Sequence, residues 1–418
     1  MSTEPLPAPP SRAGAPPAAA RGVLVVAGLM LAAFTFNTAE NLPVGLLSDV
    51  AHGLRVPLAE VGYLVTGYGL TVAVCSLPLA RATRNVPHRH VLAAVLVVLV
   101  AASRLSATAG SYGTLLGARL ATALAQALFW AVMGPAAVGL FAPERRGRVV
   151  GMLSVGGSLA TALGVPAGNW LGRQDGWHAP FWVLTALGAA ALALVAGWLP
   201  TTRPGSGHGA RGIAPDRRAF AVVLATTALS GTGAYTGFTY IERFLTGVSG
   251  FPASAVGPLL LVFGVAALGG IAAAGALLDR LPWAMLVVPV AVQTAAMTAL
   301  WAGGGTRWVV AAALALLGLA VAPVVMAAQA LVLRVAPGRT ESAVAANSAA
   351  FNAGVALGAL SGGLALPVAG VRGTFLIGAV DTAVALAVLA RHARRGRAGG
   401  RARGGGSGSV PDGTAQAG

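Results

Sequence analysis

The chain has 418 residues, of which 56% are hydrophobic and 10% charged. A soluble fold of that size needs far more polar surface to cover its core, so a soluble enzyme or signalling domain is excluded. The net charge of +16 comes from 28 basic residues, all arginine; they concentrate in alternate loops, which is the positive-inside pattern of a membrane protein and argues against a nucleic-acid partner.

Apolar runs of bilayer-spanning length recur from end to end, so the fold class expected is all-α integral membrane, with the lipid bilayer as partner. Residues 1–21 are Pro/Ala-rich and lack the basic start and short apolar core of a cleaved signal; they are expected to form a disordered cytoplasmic tail. Residues 22–200 hold six predicted helices centred near Leu31, Thr71, Val98, Ala125, Thr161 and Leu187. The polar stretch 201–218, "TTRPGSGHGARGIAPDRR", reads as a cytoplasmic linker. Residues 219–391 hold six more, centred near Leu229, Ala267, Val292, Ala315, Leu357 and Ala383, and 392–418 form a basic cytoplasmic tail expected to be disordered. Arg55, Arg173, Arg243, Arg307 and Arg372 fall in loops on one side and most other arginines on the opposite side, which puts both termini in the cytoplasm. The lone Cys75 lies in an apolar span and has no partner for an intrachain disulfide.

The two halves echo each other. "VPLAEVG" (Val56–Gly62) answers "FPASAVG" (Phe251–Gly257) 195 residues later, and the same offset maps Gly69 onto Gly264 and Pro87 onto Pro282. At an offset of 194, "ALG" at Ala162–Gly164 answers "ALG" at Ala356–Gly358. Two six-helix halves in parallel repeat are the architecture of a transporter that rocks between two openings.

A charge inside the bilayer costs on the order of 3 kcal/mol unless it is protonated, paired or facing water. Glu40 stands past the middle of the first helix, with Asn37 one turn before it, Asn41 beside it and Pro43 loosening the turn that follows. It is the leading candidate for a group on which a proton loads and leaves. Arg119, in the fourth helix, is expensive in the same way. It is expected either to counter Glu40 or to hold helices one and four together through backbone carbonyls. Gln126 and Trp130 are expected to share its face. Asp381 lies mid-span in the twelfth helix with no arginine in a second-half span to pair with, and Glu242, beside Arg243, reads as half of a boundary ion pair. Tyr235, Tyr240, Asn347 and Asn352 are second-half candidates for lining a cavity. Gly164, Gly168 and Gly172 repeat every four residues, as do Gly354, Gly358 and Gly362, and Pro166 interrupts the first of these stripes.

Several of these stretches resemble the major facilitator superfamily, within it the twelve-span drug:proton antiporters, and in particular their chloramphenicol- and arabinose-exporter branch. "TAENLPVGLLSD" (Thr38–Asp49) resembles the first-helix motif, and "LLGARLATALAQALFWA" (Leu115–Ala131) the fourth-helix motif with its buried arginine at Arg119. "ALGVPAGNWLG" followed by "GWHAPF" resembles the fifth-helix antiporter motif, with Gly164, Pro166 and Gly168 in register. "TGFTYIERFL" and "AANSAAFNAGVALGALSGG" resemble the exporter branch. The resemblance implies a fold of twelve transmembrane helices in two halves. It also implies helices five and eleven sliding across the interface between the halves, and gating roles for Pro43, Gly164, Pro166, Gly168, Gly358 and Gly362. The loop "PLARATRNVPHRHVL" departs from the family, with Arg84 and Pro87 where Asp and Gly are usual; Asp279 in "GALLDRLP" keeps the acid in the second half.

The expected function is therefore a proton-coupled efflux antiporter in a bacterial inner membrane, acting as a monomer. Protons load at Glu40 with Arg119 in the same network; Asn37, Asn41, Gln126, Trp130, Tyr235, Tyr240, Asn347 and Asn352 are candidates to hold a small amphipathic substrate such as a chloramphenicol-like drug. The alternative is a sugar, nucleoside or amino-acid exporter on the same fold, left open by Gln126, Gln293, Gln329, Asn347 and Asn352. A membrane enzyme or non-transporting receptor is the remote reading: the sequence holds no HExxH, GxSxG or P-loop, and no cofactor or metal is expected.

Overall fold

The computed structural model describes residues 18–138, 140–141, 146–201, 214–278, 280–338 and 340–404. Asp279, most of the linker 201–218 and most of both predicted tails lie outside these residues. In chain order the helices are α1 (Ala18–Gly45), α2 (Leu47–Leu54), α3 (Leu58–Ala82), α4 (His88–Ala107), α5 (Tyr112–Val138), α6 (Arg146–Leu159), α7 (Val165–Asp175), α8 (Ala179–Trp198), α9 (Arg217–Phe238), α10 (Ile241–Gly247), α11 (Val256–Leu277), α12 (Ala284–Gly303), α13 (Arg307–Val335) and α14 (Thr340–Gly404). Among the described residues ten helical segments are long and apolar enough to cross a bilayer. The expected twelve corresponds to these ten with two changes. The last divides at Gly370, whose φ of 64° is the left-handed region open to glycine, and the interrupted path 146–175 is added. Helix begins at Ala18 and runs on to Gly404, so it enters both segments expected as disordered tails; the alanines and arginines there are strong helix formers.

Local sequence explains the interruptions. Pro43 lies near the end of α1, and the chain restarts as α2 after Leu46. Pro166 has no N–H to give the preceding turn, and the path widens into a π-turn over Ala160–Gly164 just before it. At α9, the Asp216 carboxylate caps the helix by accepting from the Arg218 and Ala219 amides at 2.8 and 3.0 Å. These bonds, that from Ala219 first, hold its carboxyl below the usual range. The Asp216 amide donates to the Val335 carbonyl at 3.1 Å, tying the linker's end to α13.

The repeat is visible in three dimensions. Gly164 and Gly168 let α7 and the turn before it close on Thr38 and Leu42 of α1. Their mates Gly358 and Gly362 let α14 close on Thr232 and Thr236 of α9, so each pair of partners keeps the 194-residue offset. Each glycine stripe thus closes on the first helix of its own half, while the fifth and eleventh passages that carry the stripes meet the other half through different faces. The contacts across the halves are made instead by Gly69 of α3, against Asn352 and Ala356, and by Gly264 of α11, against Thr161 and Ala162. These two glycines are repeat mates, and so are the two alanines they touch, as a pseudo-two-fold axis requires.

A methyl at Gly264 would overlap the Ala162 backbone, and one at Gly358 would overlap the Thr232 carbonyl. Overpacking of this kind costs about 1–3 kcal/mol. Gly264→Leu is expected to wedge the halves apart and slow transport while the protein still accumulates, whereas Gly358→Leu, acting within one half, is expected to lower the yield of monodisperse protein. Size-exclusion profiles and vesicle transport of the two variants check the contrast.

Candidate functional site

Between Met30 and Asn41 the incompletely buried positions of α1 are Met30, Leu31, Phe34, Asn37, Glu40 and Asn41, one face at three- and four-residue spacing. This face looks toward the other half, because the Tyr235 hydroxyl of α9 donates to Asn41 Oδ1 at 3.1 Å. Asn41 Nδ2 donates to the Asn37 carbonyl at 3.0 Å, and Asn37 Nδ2 reaches the Gly157 carbonyl of α6 at 3.1 Å. Tyr235 stands edge-on to Phe238 and Phe351, each ring 6.2 Å away.

The Glu40 carboxylate is held by a neutral donor. Gln126 Nε2 of α5 donates to its Oε2 at 2.7 Å, and the Tyr68 hydroxyl of α3 donates to Gln126 Oε1 at 2.5 Å. Arg119, 1% exposed, turns elsewhere. Its guanidinium donates to the Ala39 carbonyl and, at 2.8 Å, to the Glu40 carbonyl, and it lies 4.5 Å over the Tyr68 ring. The reason is in the sequence: Pro43 has no N–H, so the carbonyl of Ala39, four residues earlier, lacks its helical donor. Arg119 supplies it. Of the two readings of this arginine, the geometry matches the one in which it holds helices one and four through backbone carbonyls. Among the described residues no arginine lies within ion-pair distance of the Glu40 carboxylate.

The structure thus brings Glu40, Gln126, Arg119, Asn37, Asn41 and Tyr235 together and adds Tyr68, which sequence reasoning missed. The other candidates make no hydrogen bond to this network, although Trp130 borders Gly157 beside Asn37 and the Asn352 backbone packs on Gly69 next to Tyr68. Trp130 packs edge-on to Phe129 at 5.5 Å. Asn347 accepts from Thr227 at 2.9 Å, and Asn352 donates to the Ser348 carbonyl at 2.9 Å while its Oδ1 is buried without a partner. Tyr240 is fully buried; its hydroxyl donates to the Ala359 carbonyl at 3.0 Å and its ring packs on Gly62 and Gly362, which is packing rather than cavity lining. Asp381 sits against Gly233 of α9.

At the end of the bundle remote from the termini, the distal end, charge bridges the halves. Arg173 Nη2 of α7 pairs with Glu242 Oε1 of α10 at 3.3 Å, and the Ser48 amide of α2 donates to Glu242 Oε2 at 2.9 Å. Arg173 Nε also donates to Asn169 Oδ1 at 3.1 Å, and Asn169 Nδ2 donates to the Gly45 carbonyl. The expected partner of Glu242 was its neighbour Arg243. Adjacent residues on a helix point about 100° apart, and Glu242 turns inward to 3% exposure while Arg243 turns out. Removing one partner of a buried pair costs about 3–5 kcal/mol because the other is stranded. Arg173→Ala is therefore expected to weaken distal closure at least tenfold. It is read as faster labelling of Tyr63→Cys, in a Cys75→Ser background, by a membrane-impermeant thiol reagent.

A bundle of two pseudo-symmetric halves with a polar, one-sided charge network at their interface defines a membrane transporter for small molecules, not an enzyme. A profile of the Major Facilitator Superfamily matches residues 29–340, and the chain belongs to that family. It is 32% identical over 365 residues to a probable sugar efflux transporter of Mannheimia succiniciproducens, covering 86% of this chain and 91% of that one. Among solved structures it is similar to the nucleoside transporter NupG, with a TM-score of 0.70, 14% identity, and 88% and 99% of the two chains covered. The human organic anion transporter MFSD10 gives a TM-score of 0.65 at 17% identity, over 90% and 100%.

Proposed function

We propose that the chain is a proton-coupled exporter of small polyhydroxylated compounds such as sugars, working by alternating access in a bacterial inner membrane with both termini in the cytoplasm. The observation that carries the proton is the company Glu40 keeps. Its carboxylate accepts from the Gln126 amide, itself backed by the Tyr68 hydroxyl, and among the described residues no cation lies within ion-pair distance. Arg119 spends its donors on backbone carbonyls and acts on the carboxylate only through space, so a proton is well placed to relieve the remaining charge at low dielectric. Protonation removes the charge beside the Gln126–Tyr68 relay and turns one carboxylate oxygen from an acceptor into a donor; the two relay members stand on different helices of the same half. Coupling needs proton and cargo to bias one two-state equilibrium in opposite directions.

Neutral hydrogen-bonding groups support the cargo class. Asn37, Asn41 and Tyr235 present amides and a phenol at the interface of the halves, with Phe351 beside them, and a relative of this chain carries the name of a sugar efflux transporter. An amphipathic drug of the chloramphenicol kind is the second reading, favoured by the rings of Phe34, Tyr235, Phe238 and Phe351 near the same surface. Inverted vesicles with an imposed pH gradient separate the two: gradient-dependent uptake of a labelled pentose or hexose but not of labelled chloramphenicol supports sugar export, and the reverse result overturns it.

A further inference from the structure

A cavity of about 730 Å³ opens at the distal end, and none of the Glu40 relay residues lines it. One wall is Asp49 and His52 of α2 with Trp170, Arg173 and Gln174 of α7; the other is Ser254, Gly257 and Pro258 at the start of α11. The walls belong to different halves, and the Arg173–Glu242 pair lies at their seam. Its volume suits a mono- or disaccharide-sized ligand.

The polar groups there are not used up by the protein. Asp49 Oδ2 is buried without a hydrogen-bond partner, an acceptor left open. Arg173 spends Nε on Asn169 and Nη2 on Glu242, leaving Nη1 as a donor, and the Gln174 amide adds a donor and an acceptor. Trp170, 63% exposed, offers an indole face at the same wall. An organic cation is disfavoured, because the guanidinium shares the wall with Asp49. A phosphate or carboxylate is disfavoured by Asp49 itself. What remains is a neutral molecule that donates and accepts at several points and has an apolar face for the indole: a polyhydroxylated ring.

We propose that this cavity is a second binding site, for a small neutral polyhydroxylated compound arriving from the distal side, and that its occupation holds the transporter closed at that end. The second clause follows from the walls. A ligand that contacts both halves only when they are together stabilises that conformation by its differential affinity for it. With the distal end outside, compound accumulated there slows further export without competing at the central interface. This consequence rests on the export reading above; binding itself does not.

The test uses the full-length chain in lipid nanodiscs, with sucrose and tetramethylammonium as probes followed by calorimetry. Saturable sucrose binding is expected, weakened roughly tenfold or more, about 1.4 kcal/mol per tenfold step, by Trp170→Ala and by Asp49→Asn. Sucrose is also expected to slow thiol labelling of Tyr63→Cys, which sits across the seam against Gly363, and this slowing should vanish in Trp170→Ala. Absence of saturable sucrose binding overturns the proposal. So does binding indifferent to Trp170→Ala and Asp49→Asn, or tetramethylammonium binding in place of sucrose. None of these readings requires export, so a wrong cargo and a wrong site are distinguished.

Discussion

Glu40→Gln is expected to abolish the response of transport to a pH gradient while the protein inserts, folds and elutes as the parent does. The substitution keeps shape and hydrogen-bonding reach: a glutamine oxygen at this position still accepts from Gln126 Nε2, which stands 2.7 Å from Glu40 Oε2. What disappears is the charge and the site on which a proton can ride. No arginine among the described residues lies within ion-pair distance of the carboxylate, but the buried Arg119 guanidinium is near enough to feel its charge, so a modest loss of stability is expected, smaller than for breaking a contact pair. Coupling free energies of about 1–3 kcal/mol correspond to roughly 5- to 150-fold effects, so gradient-driven uptake into inverted vesicles should fall by that range. Exchange of labelled for unlabelled cargo at equal pH should persist. Gradient-driven uptake that survives undiminished removes Glu40 as the proton site. Glu40→Asp provides the graded case: one methylene shorter, it keeps a titrating group but draws back from Gln126, and partial coupling is expected.

Much of this site was legible in the letters. An acid, two asparagines and a proline in the first apolar run announced a place where helix and bilayer are both compromised, and Arg119 was visible as the only arginine well inside a span besides the more peripheral Arg104. What was not legible was rotation. Hydropathy places a residue along a helix but not around it, so Tyr68, in an otherwise ordinary stretch of α3, carried no mark of its contact with Gln126. For the same reason Glu242 looked paired with its neighbour when its partner stands on α7. The repeat held more than was taken from it. A residue near a pseudo-two-fold axis touches its own mate, and Asn41–Tyr235 and Ser48–Glu242 are both contacts between residues 194 apart. The symmetry was silent on one point: similar glycine stripes on the fifth and eleventh passages fit packing across the halves and packing within each half equally well, and only the identity of the facing helix, α1 or α9, decides.

Arg119→Ala is expected to be the most damaging single substitution for folding, and Pro43 supplies the means of proving why. The guanidinium satisfies the Ala39 and Glu40 carbonyls from a position buried to 1% exposure. Hydrogen bonds to charged groups contribute about 1.5–3 kcal/mol each, and in hydrocarbon no water replaces a lost donor. The alanine variant should therefore show a thermal transition well below the parent's and a poor monodisperse yield. Arg119→Lys should recover only part, since an ammonium is a compact point charge that cannot span two carbonyls as a planar fork does. Of the two carbonyls, that of Ala39 is orphaned solely because residue 43 is proline. Pro43→Ala restores an N–H at position 43, four residues on, where a helix places the donor for Ala39. The double variant Pro43→Ala, Arg119→Ala should thus fold better than Arg119→Ala alone, with a non-additive coupling of about 1–2 kcal/mol in the mutant cycle. Additive effects would mean that Arg119 holds the halves of this network by its contact with Tyr68 or by charge alone. Recovery of folding without recovery of transport would show that the proline break is kept for the motion of α1 and α2, with the arginine as the brace that makes such a break tolerable inside a bilayer.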